Sequence, residues 1–190
     1  TEKVIHILER NNIQQGIVGA FFIQTHVNIR LGSQNGVTVV QLADSKHHLI
    51  QIHTGSNEDH VRHTTRVTQN AYDVNGDGKS DGANALESDM IRAKDKINTV
   101  INKVPEYVRA VGGATNPAVK AIYTKQILKH ILWNVDSQDN STVTLPNGKR
   151  GRPTADMVRQ NLRNGIIQAI NRRESELIVL FHDINGTTAN

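Results

Sequence analysis

The chain has no cysteine. A disulfide framework, a thiolate zinc site and a cysteine nucleophile are therefore excluded. Aromatic residues make up only 4% of the 190 residues, with a single Trp, so a core must be built from Ile, Val, Leu and Ala. No apolar run approaches the roughly 18 residues of a membrane-spanning helix. The longest, Gly16 to Ile23, is the size of a strand. A hydrophobic fraction of 37% over this length still suffices for a core without covalent staples. The composition reads as a single domain over 1–190, β-rich across 16–67 and helical across 83–172.

The formal net charge is +4, which permits a polyanionic partner without requiring one. The excess is concentrated: between Lys149 and Arg173 stand Lys149, Arg150, Arg152, Arg159, Arg163, Arg172 and Arg173 against Asp156 alone. The start Thr1-Glu2-Lys3-Val4 lacks the basic-then-apolar pattern of a signal peptide and points to synthesis in the cytoplasm. A leader removed earlier would leave the same start, so secretion stays open. The sequons at Asn140 and Asn185 are explained by chance.

Hydrophobic periodicity predicts an α+β fold. Val4, Ile5 and Leu8 mark a short first helix. Val27, Ile29 and Leu31 alternate with Asn28 and Arg30, as in a half-buried strand. Asn35-Gly36 is a strong hairpin signal, and the β-branched segment Val37 to Leu42 follows it. His48, Ile50 and Ile52 then alternate with Leu49, Gln51 and His53. The first third thus reads as an antiparallel β meander. Beyond residue 83 the period becomes helical. Leu86, Met90, Ile97, Val100, Ile101 and Val104 form one stripe, ended by Pro105. Asn116-Pro117 is a cap with Pro at the first helical position, followed by a stripe through Val119, Ile122, Tyr123, Ile127, Ile131 and Val135. Val143 to Gly148 suggests a small hairpin. Thr154 caps a third helix with Val158, Leu162, Ile166 and Ile170 inward, and Leu177 to Phe181 reads as a final buried strand. No repeat is visible.

One segment points directly at a ligand. Asp73, Asn75, Asp77 and Asp81 occupy positions 1, 3, 5 and 9 of a loop with Gly76 and Gly78 between them, and the Lys79 carbonyl falls at position 7. Calcium takes six to eight hard oxygens, which alternate residues of a tight loop supply. The segment resembles the DxNGDGxxD loops of integrin-type repeats and, more loosely, EF-hands and dockerins. The resemblance covers this loop only and implies bound Ca2+. Asn84 stands where an EF-hand has its bidentate Glu, with Glu87 nearby.

Two further constellations are of interest. Lys149-Arg150-Gly151-Arg152-Pro153 resembles an AT-hook core, which would place Lys149, Arg150 and Arg152 against nucleic acid. The alternative is an arm that packs on a neighbouring subunit. His47, His48, His53, His60 and His63, with Glu58 and Asp59, form a dense stretch that could ligate a transition metal, although alternation sends His48 and His53 to opposite faces. No nucleophile elbow, P-loop or dinucleotide fingerprint is present. The His182-Asp183 pair reads as coincidence, and Glu87, Asp89 and Asp95 as a solvated helix face with Lys94 and Lys96. No catalytic residue is assigned.

These features point to a non-enzymatic subunit of a large assembly, with a virion or phage structural protein as the leading case. It would carry a structural calcium site and associate with itself or other subunits. The alternatives are a DNA-binding protein using the basic arm and a metal-dependent hydrolase using the cluster from His47 to His63.

Overall fold

A computed structural model describes residues 2–10, 18–25, 34–55, 60–65 and 85–182. The elements are α1 (Glu2–Arg10), β1 (Ala20–Gln24), α2 (Gln34–Ser45), β2 (Leu49–Thr54), α3 (His60–Thr65), α4 (Ala85–Ile101), β3 (Tyr107–Val108), α5 (Pro117–Lys125), β4 (Lys129–His130), β5 (Val135–Asp136), β6 (Val143–Thr144), β7 (Arg150–Gly151), α6 (Ala155–Asn171) and β8 (Val179–Leu180). The chain divides into two compact units, Ile17–Ile131 and the combined segments Thr1–Gly16 and Leu132–Asn190.

In the first unit, four strands form one sheet in the order β1-β2-β3-β4, every pair parallel. This corrects the antiparallel meander. Residues expected to turn at Asn35-Gly36 instead begin α2, and a helical crossover between two strands returns the chain in the same direction. Val37 to Leu42 is β-branched enough to suggest a strand. Its spacing nevertheless suits a helix, which buries Val40 and Ala43, and packing overrides propensity. The expected strand around Val27 lies outside the described residues. β2 is a strand as read, but Ile50, Gln51, Ile52 and Thr54 are all buried, so both of its faces are covered, as parallel sheets require.

The ladder between β2 and β3 has a single residue pair, Ile52 and Val108. Gln51 extends it: its side-chain Oε1 accepts the backbone N–H groups of Glu106 at 3.1 Å and Tyr107 at 2.8 Å. α4 packs on β2 and α2 through Leu86, Met90, Ala93 and Ile97, all buried. Each of the larger side chains contributes about 2 kcal/mol by leaving water. Val104 lies beyond the helix end and is exposed. α5 begins as expected, with the Asn116 side chain accepting the Val119 N–H at 2.8 Å.

The stripe drawn from Val119 to Val135 is not one helix. α5 stops at Lys125, and the Ile127 N–H then bonds the Thr124 carbonyl at 3.0 Å and the Leu128 N–H the Tyr123 carbonyl at 2.8 Å. That double closure requires a left-handed residue between them, a place usually held by Gly. Here it is Ile127, at φ 57° and 86% exposed. A β-branched side chain is disfavoured there, and its exposure leaves little burial to offset the strain. Ile127→Gly is expected to stabilise the protein by about 1 kcal/mol. A melting temperature unchanged or lowered in the variant would refute that.

In the second unit, β5 pairs with β8 in parallel and β6 with β7 antiparallel. α6 begins at its expected Thr154 cap, whose Oγ1 accepts the Met157 N–H at 3.3 Å, but Ile170, expected inward, is exposed. The hairpin extends past Gly148 to Gly151, and the last strand is shorter than expected, with Leu177 and Phe181 exposed on either side of it. α6 approaches β5 so closely that a Cβ on Gly165 would stand 2.9 Å from Val135 Cγ1, which accounts for a glycine in mid-helix. Among the described residues no helix is long and apolar enough to cross a membrane.

Candidate functional site

Parallel strands expose their ligand sites at their carboxyl ends, where the following loops converge. In the second unit, β5 and β8 deliver two loops to that end, and the loops meet through Asp139 and His182. Asp139 is fully buried. One carboxylate oxygen accepts the backbone N–H of His182 at 2.8 Å, and the other accepts the ring Nδ1–H at 2.9 Å. A carboxylate can only accept, so the pairing fixes the tautomer and leaves Nε2 as the nitrogen that exchanges a proton. The His182 side chain is 38% exposed, within reach of a substrate.

The Asp139 loop is itself held rigidly. The Ser137 N–H bonds the Leu180 carbonyl at 3.3 Å, and the Asn161 side chain of α6 donates to the Ser137 carbonyl at 3.3 Å. Asp136 Oδ1 accepts the Gln138 N–H at 2.7 Å, and Gln138 takes φ 55°. An exposed residue in the left-handed region between two buried ones is a form of local strain common at functional loops. Sequence reasoning missed this dyad because it tested His182 only against its neighbour Asp183. The available signal was a histidine just past the last strand together with carboxylates just past another strand.

In the first unit, the carboxyl ends carry Gln24 and Thr25 after β1, His53 to Gly55 at β2, Arg109 after β3 and His130 on β4. Asp89 of α4 anchors the β2 end. It is fully buried, and its carboxylate accepts the Gly55 N–H at 2.9 Å, the Thr54 hydroxyl at 3.2 Å and Arg92 Nη2 at 3.3 Å. The expectation that Asp89 belongs to a solvated face is thus corrected: it shares α4 with exposed Asp95 but points inward. Burial pushes its carboxyl from 3.8 up to about 6, only partly countered by the Gly55 N–H, Arg92 and Thr54. A raised carboxyl binds its proton more tightly in the folded state. The stability it adds is therefore fully present below pH 3.8 and is lost as pH rises through about 6. Relative to Asp89→Asn, the wild type should lose up to about 3 kcal/mol between pH 4 and pH 7 in urea denaturation. A difference between the two proteins that does not vary with pH would contradict this.

The histidine stretch does not converge. His48 and His53 stand at opposite ends of β2, five residues and so about 17 Å apart. The His48 Nδ1 accepts the Gly19 N–H at 3.1 Å, and the His53 Nδ1–H donates to the Arg109 carbonyl at 2.7 Å. His47 is exposed in a left-handed turn at φ 62°. His60 is buried with its Nδ1 against the Tyr123 hydroxyl, and the Tyr123 ring stacks on His130 at 5.7 Å. Burial, with Lys120 and Arg109 nearby, holds His130 below the usual imidazole range. The Arg109 guanidinium lies 4.2 Å from the centre of the Phe22 ring, and burial lowers its pKa. Glu58, Asp59 and the His63 side chain lie outside the described residues. Among the described residues no three His, Asp or Glu side chains are placed to hold a metal ion.

The loop with Asp73, Asn75, Asp77, Lys79 and Asp81 also lies outside the described residues. Lys149 lies just before β7, Arg150 on it and Arg152 just after it, all exposed, with Arg152 Nη1 donating to the Asn140 carbonyl.

No protein-family model matches the sequence, and no curated protein matches it. Solved structures do share the fold. A family 4 carbohydrate esterase from Streptomyces lividans is 18% identical, with TM-score 0.65, over 100% of this chain and 75% of that one. The chitin deacetylase of the fungal pathogen Colletotrichum lindemuthianum is 17% identical, with TM-score 0.68, over 98% of this chain and 69% of that one. A family 4 pseudoenzyme from Bacillus anthracis is 12% identical, with TM-score 0.61, over 98% and 50%. The chain spans about half the length of this pseudoenzyme, and 52% of a mutant of it. The fold is therefore that of the family 4 deacetylases. This overturns the resemblance to integrin-type and EF-hand families and, with it, the reading as a virion or assembly subunit. It lends no specific support to calcium.

Proposed function

We propose that this chain hydrolyses acetyl groups from N-acetylated saccharides, with His182 as the acid–base group and Asp139 as the residue that orients it. The observation that carries the reading is the dyad: a buried carboxylate holding one nitrogen of a part-exposed imidazole at the carboxyl end of parallel strands. Hydrolysis of an acetamide needs a proton delivered to the departing amine as water adds to the carbonyl. An imidazole held in one tautomer can serve as that proton donor. Chitin and peptidoglycan deacetylases on the same fold suggest the class of substrate.

Deacetylases of this family are metal-dependent, typically on Zn2+ or Co2+. The described residues do not by themselves supply such a site: β1 ends in an amide and a hydroxyl, Gln24 and Thr25, and the buried carboxylate of Asp89 is occupied by Gly55, Thr54 and Arg92. No step is therefore routed through a metal.

The same observation favours a second reading, glycan binding without hydrolysis, and a pseudoenzyme is among the proteins that share the fold. Acetate release from chitin oligosaccharides and from peptidoglycan glycan strands, with and without added Zn2+ or Co2+, separates the two. Acetate production supports hydrolysis. Binding without acetate under every condition would replace it with the second reading, and neither binding nor acetate would remove both.

A further inference from the structure

We infer that the β6–β7 hairpin is a recognition arm for anionic substituents on a glycan chain, gripping the polymer beside His182. The inference rests on the saccharide reading above. The basic run that suggested an AT-hook is not a floppy tail. The Leu145 N–H bonds the Lys149 carbonyl at 2.8 Å, the Gly148 N–H bonds the Leu145 carbonyl at 2.9 Å, and the Asn147 side chain accepts the Lys149 N–H at 3.1 Å. The arm is thus built by its own hydrogen bonds and presents its cations at little further entropic cost.

Its root is the dyad loop. β6 starts four residues after Asp139, and Arg152, just past β7, closes the base by donating to the carbonyl of Asn140, the residue next to Asp139. Arg150 lies two residues, about 7 Å, beyond that anchor. Two other arginines of this unit are paired locally, Arg159 with Asp156 at 2.6 Å and Arg172 with Glu174 at 3.1 Å. Lys149 and Arg150 are exposed, and no carboxylate among the described residues pairs with either. Two cations without a carboxylate partner among the described residues, one just before β7 and one on it, in a hairpin whose base is tied to the residue next to Asp139, suit a polymer that carries carboxylates or phosphates at regular intervals. A neutral chitin chain would gain nothing from them.

Oligosaccharides of hyaluronan, which alternate N-acetylglucosamine with glucuronate, and chitin oligosaccharides of equal length provide the test. In calorimetry at low salt, the wild type should bind hyaluronan about tenfold more tightly than chitin, and the advantage should vanish near 0.5 M salt. Poly(glycerol phosphate) distinguishes a preference for phosphate from one for carboxylate. Lys149→Gln/Arg150→Gln should erase the preference while leaving chitin affinity and melting temperature unchanged. Equal wild-type affinity for the two glycans would overturn the inference, as would equal losses on both in the variant. Tighter binding of duplex DNA than of hyaluronan, lost in the variant, would overturn it in favour of a nucleic-acid arm. The readout is binding, so it stands even if no acetate is released and the hydrolytic reading fails.

Discussion

Replacing His182 by Ala should lower kcat/KM for acetate release by about 10²–10⁴-fold, the usual contribution of a positioned acid–base group. The loss should appear in kcat with KM little changed, because the proton is needed in the transition state and not for binding. Because the ring also donates to the buried Asp139 carboxylate, the variant should lose about 1–3 kcal/mol of stability, and its turnover is read at a temperature where it remains folded. Asp139→Asn is the sharper probe. Its amide can still accept the His182 backbone N–H, but it offers an NH2 group to the ring and so favours the opposite tautomer. A loss of about 10²-fold or more, with the fold intact, is expected. Wild-type turnover in His182→Ala would dispose of the catalytic role, whatever the substrate.

Gly55→Ala should be the most destabilising small change in the described residues. An added Cβ would lie 2.3 Å from Asp89 Oδ1, 2.8 Å from its Cγ and 2.8 Å from its backbone oxygen. The side chain cannot rotate away without abandoning the Gly55 N–H and the Thr54 hydroxyl, and the backbone oxygen belongs to α4. Either α4 shifts off β2, or a buried carboxylate loses its donors. Both routes cost roughly 2–5 kcal/mol. For a chain of this size that corresponds to a fall of about 5–15 °C in melting temperature. Gly148→Ala supplies the contrast. It sits at φ 76° with nothing within 4 Å of its would-be Cβ, so only backbone strain of about 1 kcal/mol applies. If the two variants melt alike, the clasp of Asp89 on β2 is looser than its geometry implies.

The anionic-glycan arm and the Gly55 clasp differ in how far the sequence revealed them. The hairpin was legible because its determinants are local: the Asn147-Gly148 turn and the alternating residues on either side need no other part of the chain. The same holds for the Asn116 and Thr154 caps and for α4 with its stripe from Leu86 to Ile101. A cap is satisfied within three residues and an amphipathic face within two turns, so neighbouring residues determine both.

Tertiary structure alone decided whether β1 and β2 run parallel. Val37 to Leu42 fits a strand by residue type and a helix by spacing, and the face that buries Val40 and Ala43 settled it. It alone turned Asp89 inward, since helical periodicity placed Asp89 beside charged neighbours and could not show that the Gly55 N–H waits across the interface. It separated His48 from His53, because an extended strand carries them about 17 Å apart however close they are in sequence. It also joined Asp139 to His182, 43 positions apart in the chain. Hydrogen bonds between loops at the ends of paired strands follow from strand order and register, and register is a property of the assembled sheet that no local pattern encodes.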